Sequence, residues 1–284
     1  YVIIADSGSD LDSNYCHDNK IELINLTFSI DEKEYMSLSE LSIYDFYNAM
    51  REGHMTKTSQ VSIDAFTIEF TRYLMKGQDI LYIAFSSGLS GTYNAARYVA
   101  ENLSEKFPER KIRVVDSLCA SLGQGLLTMY AVQKKKDGMD IDELTNWLEN
   151  NKLNVVHLFT VEDLIYLHRG GRVSKASAVA GSILGIKPVL HVNDEGKLIP
   201  LEKVRGRKQS LDKIVTRMLE HVGKYKNTFF TISHGDCIDD AKYVENEIKR
   251  KLGIKSSYIN HVGPVIGSHS GPGTIALFLM GEKR

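Results

Sequence analysis

Three serines, Ser86, Ser87 and Ser90, sit among the glycines Gly88 and Gly91 in the stretch "YIAFSSGLSGTYNAARYVAENL", residues 82–103. Side chains this small let an oxygen-bearing ligand come close to backbone N–H groups, and the hydroxyls add donors of their own. Tyr93, Ala96, Arg97 and Ala100 then recur at helical spacing, so Gly91 and Thr92 stand near a helix N-terminus with unpaired amides and partial positive charge. The chemistry on offer is anion binding. A capped, glycine-rich turn without a ligand would use the same residues. The loop lacks the Gly-x-Gly-x-x-Gly of a dinucleotide fold and the Gly-Lys-Ser/Thr of a P-loop. Gly88-Leu89-Ser90-Gly91 also fails to fit the Gly-x-Ser-x-Gly elbow of serine hydrolases.

Three further groups carry polar chemistry. "TKTSQ", residues 56–60, places Thr58 and Ser59 in a polar loop ahead of a helix with Ser62 or Asp64 as N-cap and an apolar stripe of Phe66, Phe70 and Leu74. Turn chemistry or ligand contact explains Thr58 equally. In "YLHRGGRVSKASAVAGSILGIKP" a helix from Val161 should stop at Gly170-Gly171, leaving Arg169 and Arg172 at an exposed corner. The small residues Ala176, Ala178, Ala180, Gly181 and Gly185 after it suit close helix packing or room for something apolar. "GPVIGSHSGPG", residues 263–273, surrounds His269 with glycine in an expected loop, as if backbone were pressed against a ligand or another loop. A lone histidine is more often structural. The chain has no His-Glu-x-x-His or Cys-x-x-Cys, so no metal site is expected. Asp6, Asp10 and Asp116 suit turn capping as well as acid–base work.

Strands and helices must position these residues. Strand-like runs at residues 2–5, 21–28, 80–85 and 112–115 alternate with helical patterns, which predicts an N-terminal α/β domain with a parallel sheet and helices on both faces. "IIADSGSD", "IAFSSGLSG" and "VVDSLCASLGQG" end such runs in small hydroxyl residues. In an open α/β sheet the crevice beyond the carboxyl ends of the strands binds ligands, so these loops are expected to surround one site. A boundary falls near Lys152, dividing residues 1–151 from 152–284. Beyond it "KPVLHVNDEGKLIPLEKV" reads as a hairpin around Asp194-Glu195-Gly196, and helical patterns at 211–222 and 240–252 flank the strand "TFFTISH". The C-terminal domain is therefore expected to be α+β, with a mainly antiparallel sheet covered by helices.

Composition narrows the function classes. The 284 residues are 43% hydrophobic and 25% charged, enough for two domains with a sizeable core. A formal net charge of −1 gives no global attraction to nucleic acid or an anionic membrane. Cys16, Cys119 and Cys237 are odd in number and far apart, which fits a reducing, cytoplasmic setting better than a disulfide framework. No signal-peptide pattern and no apolar stretch of about 18 uncharged residues is present, so neither secretion nor stable membrane insertion is expected. The chain opens on Tyr1 rather than Met, so at least one preceding residue is expected.

"DSGSDL", "KTSQ", "SSGLSGTYNAA", "VVDS", "LHRGGRVS", "IKPVL", "EKVRGRKQS" and "GSHSGPG" follow one another across nearly the whole chain. In that order and spacing they resemble the DegV family. The resemblance implies two α/β domains with a long-chain fatty acid buried between them. It also implies a role as the bacterial lipid-binding carrier, presenting the acid to a separate ATP-binding subunit of fatty acid kinase, with no nucleotide site or cofactor of its own. Acyl-phosphate-using acyltransferases would act downstream. Carried over residue by residue, carboxylate binding falls on Thr58, Ser90 and His269, with Ser59, Ser86, Ser87, Gly88 and Gly91 as the supporting head-group loop. Roles at the acyl phosphate and the kinase fall on Arg172 and Arg205. Two other functions fit the same residues: a Ser90-based acyl hydrolase with His269 as base, and a lipid reservoir or sensor without a kinase partner.

Overall fold

The computed structural model describes residues 1–36, 38–174, 185–282 and 284. Its strands in the first half are β1 (Val2–Asp6), β2 (Ile21–Ile24), β3 (Thr27–Ile30), β4 (Lys33–Tyr35), β5 (Thr56–Ser59), β6 (Ile80–Ala84) and β7 (Ile112–Asp116). The second half adds β8 (Val155–Thr160), β9 (Ile186–Val192), β10 (Leu198–Arg205), β11 (Phe229–His234), β12 (Ser256–His261) and β13 (Ile275–Met280).

β1 and β6 are buried along their whole length, as continuous apolar strands covered on both faces must be. They lie at the centre of a four-stranded sheet, order β2-β1-β6-β7, in which every pairing is parallel. A six-stranded sheet, order β10-β9-β8-β13-β11-β12, forms the second half. It is antiparallel except for the pair β11–β12. The expected hairpin is present as β9–β10, with Gly196 at φ +72 in its turn.

Five layers stack in sequence. Helices Ile63–Leu74 and Thr92–Lys106 cover one face of the parallel sheet through Phe66, Phe70, Ala96 and Val99. Helices Leu122–Lys136 and Ile141–Asn151 lie between the two sheets. Leu122, Leu126 and Leu127 share a single core with Ile3, Leu81 and Ile83 of the parallel sheet and with Phe159, Ala276 and Phe278 of the other. Helices Arg207–Val222 and Ile238–Leu252 close the outer face with Ile214, Met218, Val244 and Ile248. Helix Leu122–Lys136 is thus wetted on few sides, and ten of its fifteen residues are buried.

The structure departs from the sequence reading at several places. The run at 21–28 is two strands, because the amide of Leu26 leaves the parallel ladder and donates to Ser7 Oγ at 3.0 Å. β3 then joins β4 and β5 in a small antiparallel sheet, order β4-β3-β5. "TKTS" is consequently a strand and not a loop; its alternation was invisible because both faces carry polar side chains. Ser62 is the N-cap that follows it, accepting from Ala65 N at 3.1 Å. Residues 161–164 are not helical; the helix before Gly170-Gly171 is the short Ile165–Arg169. The glycine-rich "GPVIGSHS" is also a helix, Pro264–Ser270, opened by proline. Gly267 belongs there for a packing reason: a Cβ on it would stand 2.8 Å from Tyr47 Oη. The alanines and glycine at 176–181 lie outside the described residues.

Candidate functional site

β5 and helix Pro264–Ser270 come from opposite ends of the chain and face each other. Thr58 Oγ1 lies 2.8 Å from His269 Nε2, and Thr56 Oγ1 donates to Ser268 O at 3.4 Å. On the other side of His269, a Cβ on Gly170 would stand 2.0 Å from Nδ1. The glycine read as a helix stop therefore also lets the ring seat against bare backbone. Burial, and then the positive charge of Arg172, push the His269 pKa down to about 4, so the ring is neutral near pH 7.

Ser90 follows β6 in the turn before helix Thr92–Lys106. Its Oγ accepts from Thr92 N at 3.2 Å and shares a 2.9 Å hydrogen bond with Thr92 Oγ1. When Thr92 donates, the Ser90 proton is free for a ligand oxygen. Arg172 is held over the same turn: Nε and one terminal nitrogen donate to Leu89 O at 3.2 and 3.1 Å, and the other terminal nitrogen donates to Gly170 O. Burial lowers its pKa.

These residues line one end of a cavity of about 290 Å³, close to the lower bound for small-molecule sites. Thr58, Ser59, Gln60, Ser90, Arg172 and His269 are all in its wall. The remainder is largely apolar. Val265 and Ile266 contribute from the helix, and Ala276 and Phe278 point inward from alternate positions of β13. In register with them on β8 are Phe159, opposite Ala276, and His157, opposite Phe278. Val192 and Leu198, paired across the β9–β10 hairpin, continue the wall beyond. The cavity therefore lies between the two sheets, with hydroxyls, an imidazole and a guanidinium at one end and hydrocarbon along most of its length.

Not every residue expected at the head-group loop lies in this wall. Gly91 does, and a Cβ on it would meet Gln60 Oε1 at 2.0 Å. Ser86, Ser87 and Gly88 do not line the cavity. Ser86 Oγ donates to Gly196 O at 2.8 Å, Ser87 N donates to Asp116 Oδ1 at 3.1 Å, and a Cβ on Gly88 would collide with Glu195 O at 2.5 Å. That part of the loop seats the tip of the β9–β10 hairpin instead. Arg205 is exposed at the end of β10 and is not a lining residue. Asp6 and Asp10 are structural acceptors: Asp6 takes hydrogen bonds from Tyr82 Oη and Phe85 N at 2.6 and 2.8 Å, and Asp10 from Gly263 N at 2.9 Å and from Ser121 Oγ.

The arrangement bears on chemistry. His269 pairs with Thr58, and the side-chain partner of Ser90 is Thr92, so the base that a Ser90 hydrolase requires is not hydrogen-bonded to its nucleophile. Among the described residues no cluster of His, Cys, Asp or Glu could hold a metal ion, and no helix is long and apolar enough to cross a membrane. Gln60, His157 and Ser270 are wall residues that sequence reasoning passed over. His157 had a legible signal, a single polar residue inside the six-residue buried strand "VVHLFT".

A DegV family model, described as "Uncharacterised protein, DegV family", matches residues 1–282. The chain belongs to the DegV family. A DegV domain-containing protein of Clostridium perfringens is 44% identical to it over 100% of this chain and 98% of the relative. Among solved DegV structures, one from Thermus thermophilus, reported as fatty acid binding, is 26% identical with a TM-score of 0.89 over 99% of both chains. A fatty acid binding DegV family protein of Streptococcus agalactiae is 27% identical with a TM-score of 0.87, again over 99% of both chains.

Proposed function

We propose that this chain holds a long-chain fatty acid in the cavity between its sheets and presents the carboxylate to a separate, ATP-using kinase subunit for conversion to the acyl phosphate. The observation that carries the first half is the cavity's polarity: one end gathers Thr58, Ser90, Arg172 and His269, and most of the rest is hydrocarbon. A carboxylate taken out of water needs donors to offset its desolvation. An acyl tail supplies the affinity, about 0.8 kcal/mol per buried methylene before ordering and association costs. The DegV structures reported as fatty acid binding support the same ligand class.

In this reading Thr58, Ser90 and His269 hold the carboxylate, with Ser59 and Gly91 beside them. Residues 1–151 bring the hydroxyls, and residues 152–284 bring the imidazole, the guanidinium and most of the tail's cover. Arg172 meets the acyl phosphate, and the exposed Arg205 contacts the kinase subunit. The carrier works in the cytoplasm and hands its product to acyl-phosphate-using acyltransferases.

Native mass spectrometry of the purified chain tests the ligand, with a non-covalent fatty acid as the expected added mass. Adding the kinase subunit and ATP tests the rest. Arg172→Ala is expected to retain the acid and lose phosphorylation. A parent protein that carries fatty acid and neither binds nor serves the kinase would leave a lipid reservoir or sensor as the function.

A further inference from the structure

The depth of the cavity can be followed along β13. Thr274, just before the strand, lines it at the polar end: its Oγ1 donates to Ser270 O at 3.0 Å and to Gly271 O at 2.8 Å, and Ser270 follows His269 on helix Pro264–Ser270. Ala276 and Phe278 then line it from alternate positions of the strand, about 7 Å apart at about 3.4 Å per residue. Met280, next on that face, does not. It and its partner Val155 are fully buried in the core shared by the two sheets. The cavity thus runs inward from Thr274 and ends at the level of Phe278.

That last rung is bulky and continuous. Phe278 pairs with His157. Because Leu158 pairs with His191, His157 lies beside Val192 one position on, and Val192 pairs with Leu198. All four are wall residues. The rings of Phe278 and His157 meet edge to face, with centroids 5.2 Å apart and planes at 89°. His157 cannot swing aside: its Nδ1 donates to Val155 O at 2.9 Å, and a Cβ on Gly123 would stand 2.2 Å from its Nε2, so the ring is wedged against the first turn of helix Leu122–Lys136. Burial, and then the charge of Arg284, hold its pKa well below that of an ordinary histidine. The ring is therefore neutral and packs as a plate. One rung nearer the polar end the strand carries only the methyl group of Ala276, opposite Phe159.

We propose that the Phe278–His157 rung is the stop against which the methyl end of the acyl chain comes to rest, so that the side chain at position 278 sets the longest acid the protein accepts. The assignment rests on the fatty-acid reading above. An acid that falls short of the rung leaves it uncovered, and each further methylene raises affinity about fourfold. An acid that is too long must displace a packed ring or draw its carboxylate away from the polar end. Preference therefore falls steeply on the long side.

In the test, the full chain is offered an equimolar mixture of even-numbered saturated acids from dodecanoic to docosanoic, and native mass spectrometry reads which of them stay bound. The parent is expected to peak at one length and to fall off beyond it. Phe278→Ala deepens the last rung and moves the peak to a longer acid, the next member gaining about fifteenfold over the parent's optimum, the worth of two methylenes. Phe278→Leu moves it the same way by less, and keeps the assignment open to refutation if the alanine variant does not fold. Ala276→Leu fills the rung before and moves the peak to a shorter acid. An unchanged peak in the folded variants, with only the total loading altered, overturns the assignment, since a packing role would do that. So does a parent that shows no fall-off at the long end. A parent that retains none of these acids overturns the fatty-acid reading itself, a result distinct from either.

Discussion

Thr58 and His269 touch at 2.8 Å across 211 positions of sequence. The contact joins the small antiparallel sheet of the first half to the last helix of the second, and both residues stand in the cavity wall. Each partner sits on an element whose local sequence reads as a turn.

Removing either hydroxyl proposed to hold the carboxylate is the direct probe of the head-group assignment. Thr58→Ala and Ser90→Ala are each expected to weaken fatty-acid binding about tenfold or more, the usual worth of a hydrogen bond to a charged group. Displacement of a fluorescent fatty acid measures it. Unchanged affinity in both variants would remove these residues from the site.

Two glycines with equally short Cβ approaches should behave differently. At Gly91 the obstructing atom is the tip of the exposed Gln60 side chain, which can swing aside, whereas at Gly170 it is the seated ring of His269. Gly91→Ala is therefore expected to bind ligand nearly as the parent does, and Gly170→Ala to lose binding by displacing the imidazole. Equal effects in a side-by-side affinity measurement would contradict this account of the ring.

Acid should loosen the fold through its buried histidines. Burial pushes the pKa values of His269 and His234 from 6.5 to about 4. Between those values the unfolded chain binds more protons than the folded one, so these groups make stability fall as pH drops from about 6.5 to 4. Asp10 acts with the opposite sign, because burial raises its pKa from 3.8 to about 7 and the folded state keeps a proton that the unfolded state releases. Urea unfolding at pH 4.5, 5.5 and 7.5 reads the balance, and His269→Gln should flatten the acid-side loss by about 1–3 kcal/mol. The same slope in parent and variant would show that the ring titrates normally.

Ser86 was expected at the head group and instead clasps the hairpin tip through Gly196 O. Ser86→Ala should lower stability by about 1–2 kcal/mol, the cost of leaving a buried carbonyl unmet, with affinity for the acid reduced far less than in Ser90→Ala. Chemical denaturation and ligand titration of the two variants separate the roles.

Much of the architecture was legible because it rests on long apolar periodicities. β1, β6 and β7 announce a parallel sheet, and the Asp194-Glu195-Gly196 turn announces a hairpin. Short polar elements were not legible. β5 alternates threonine with lysine and serine, so its half-buried face carries no apolar mark. Helix Pro264–Ser270 hides behind glycines and serines whose purpose is close approach to Tyr47 and to the cavity. The residues at the polar end were found as motifs, yet their pairing was not, since nothing local in Thr58 or Ser90 says that the first meets His269 and the second meets Thr92. Phe278 was missed for a related reason: its place at the end of the cavity comes from its register with His157, which nothing in its own strand announces.

The leucines of helix Leu122–Lys136 press on both sheets at once. Severing the polypeptide between Asn151 and Lys152 would therefore not release two self-sufficient modules. One fragment would bare the far side of its own helices and the other the inner face of its sheet, and each would seek the other or precipitate. For this protein the halves are a description of the map, and the unit that survives in water is the whole.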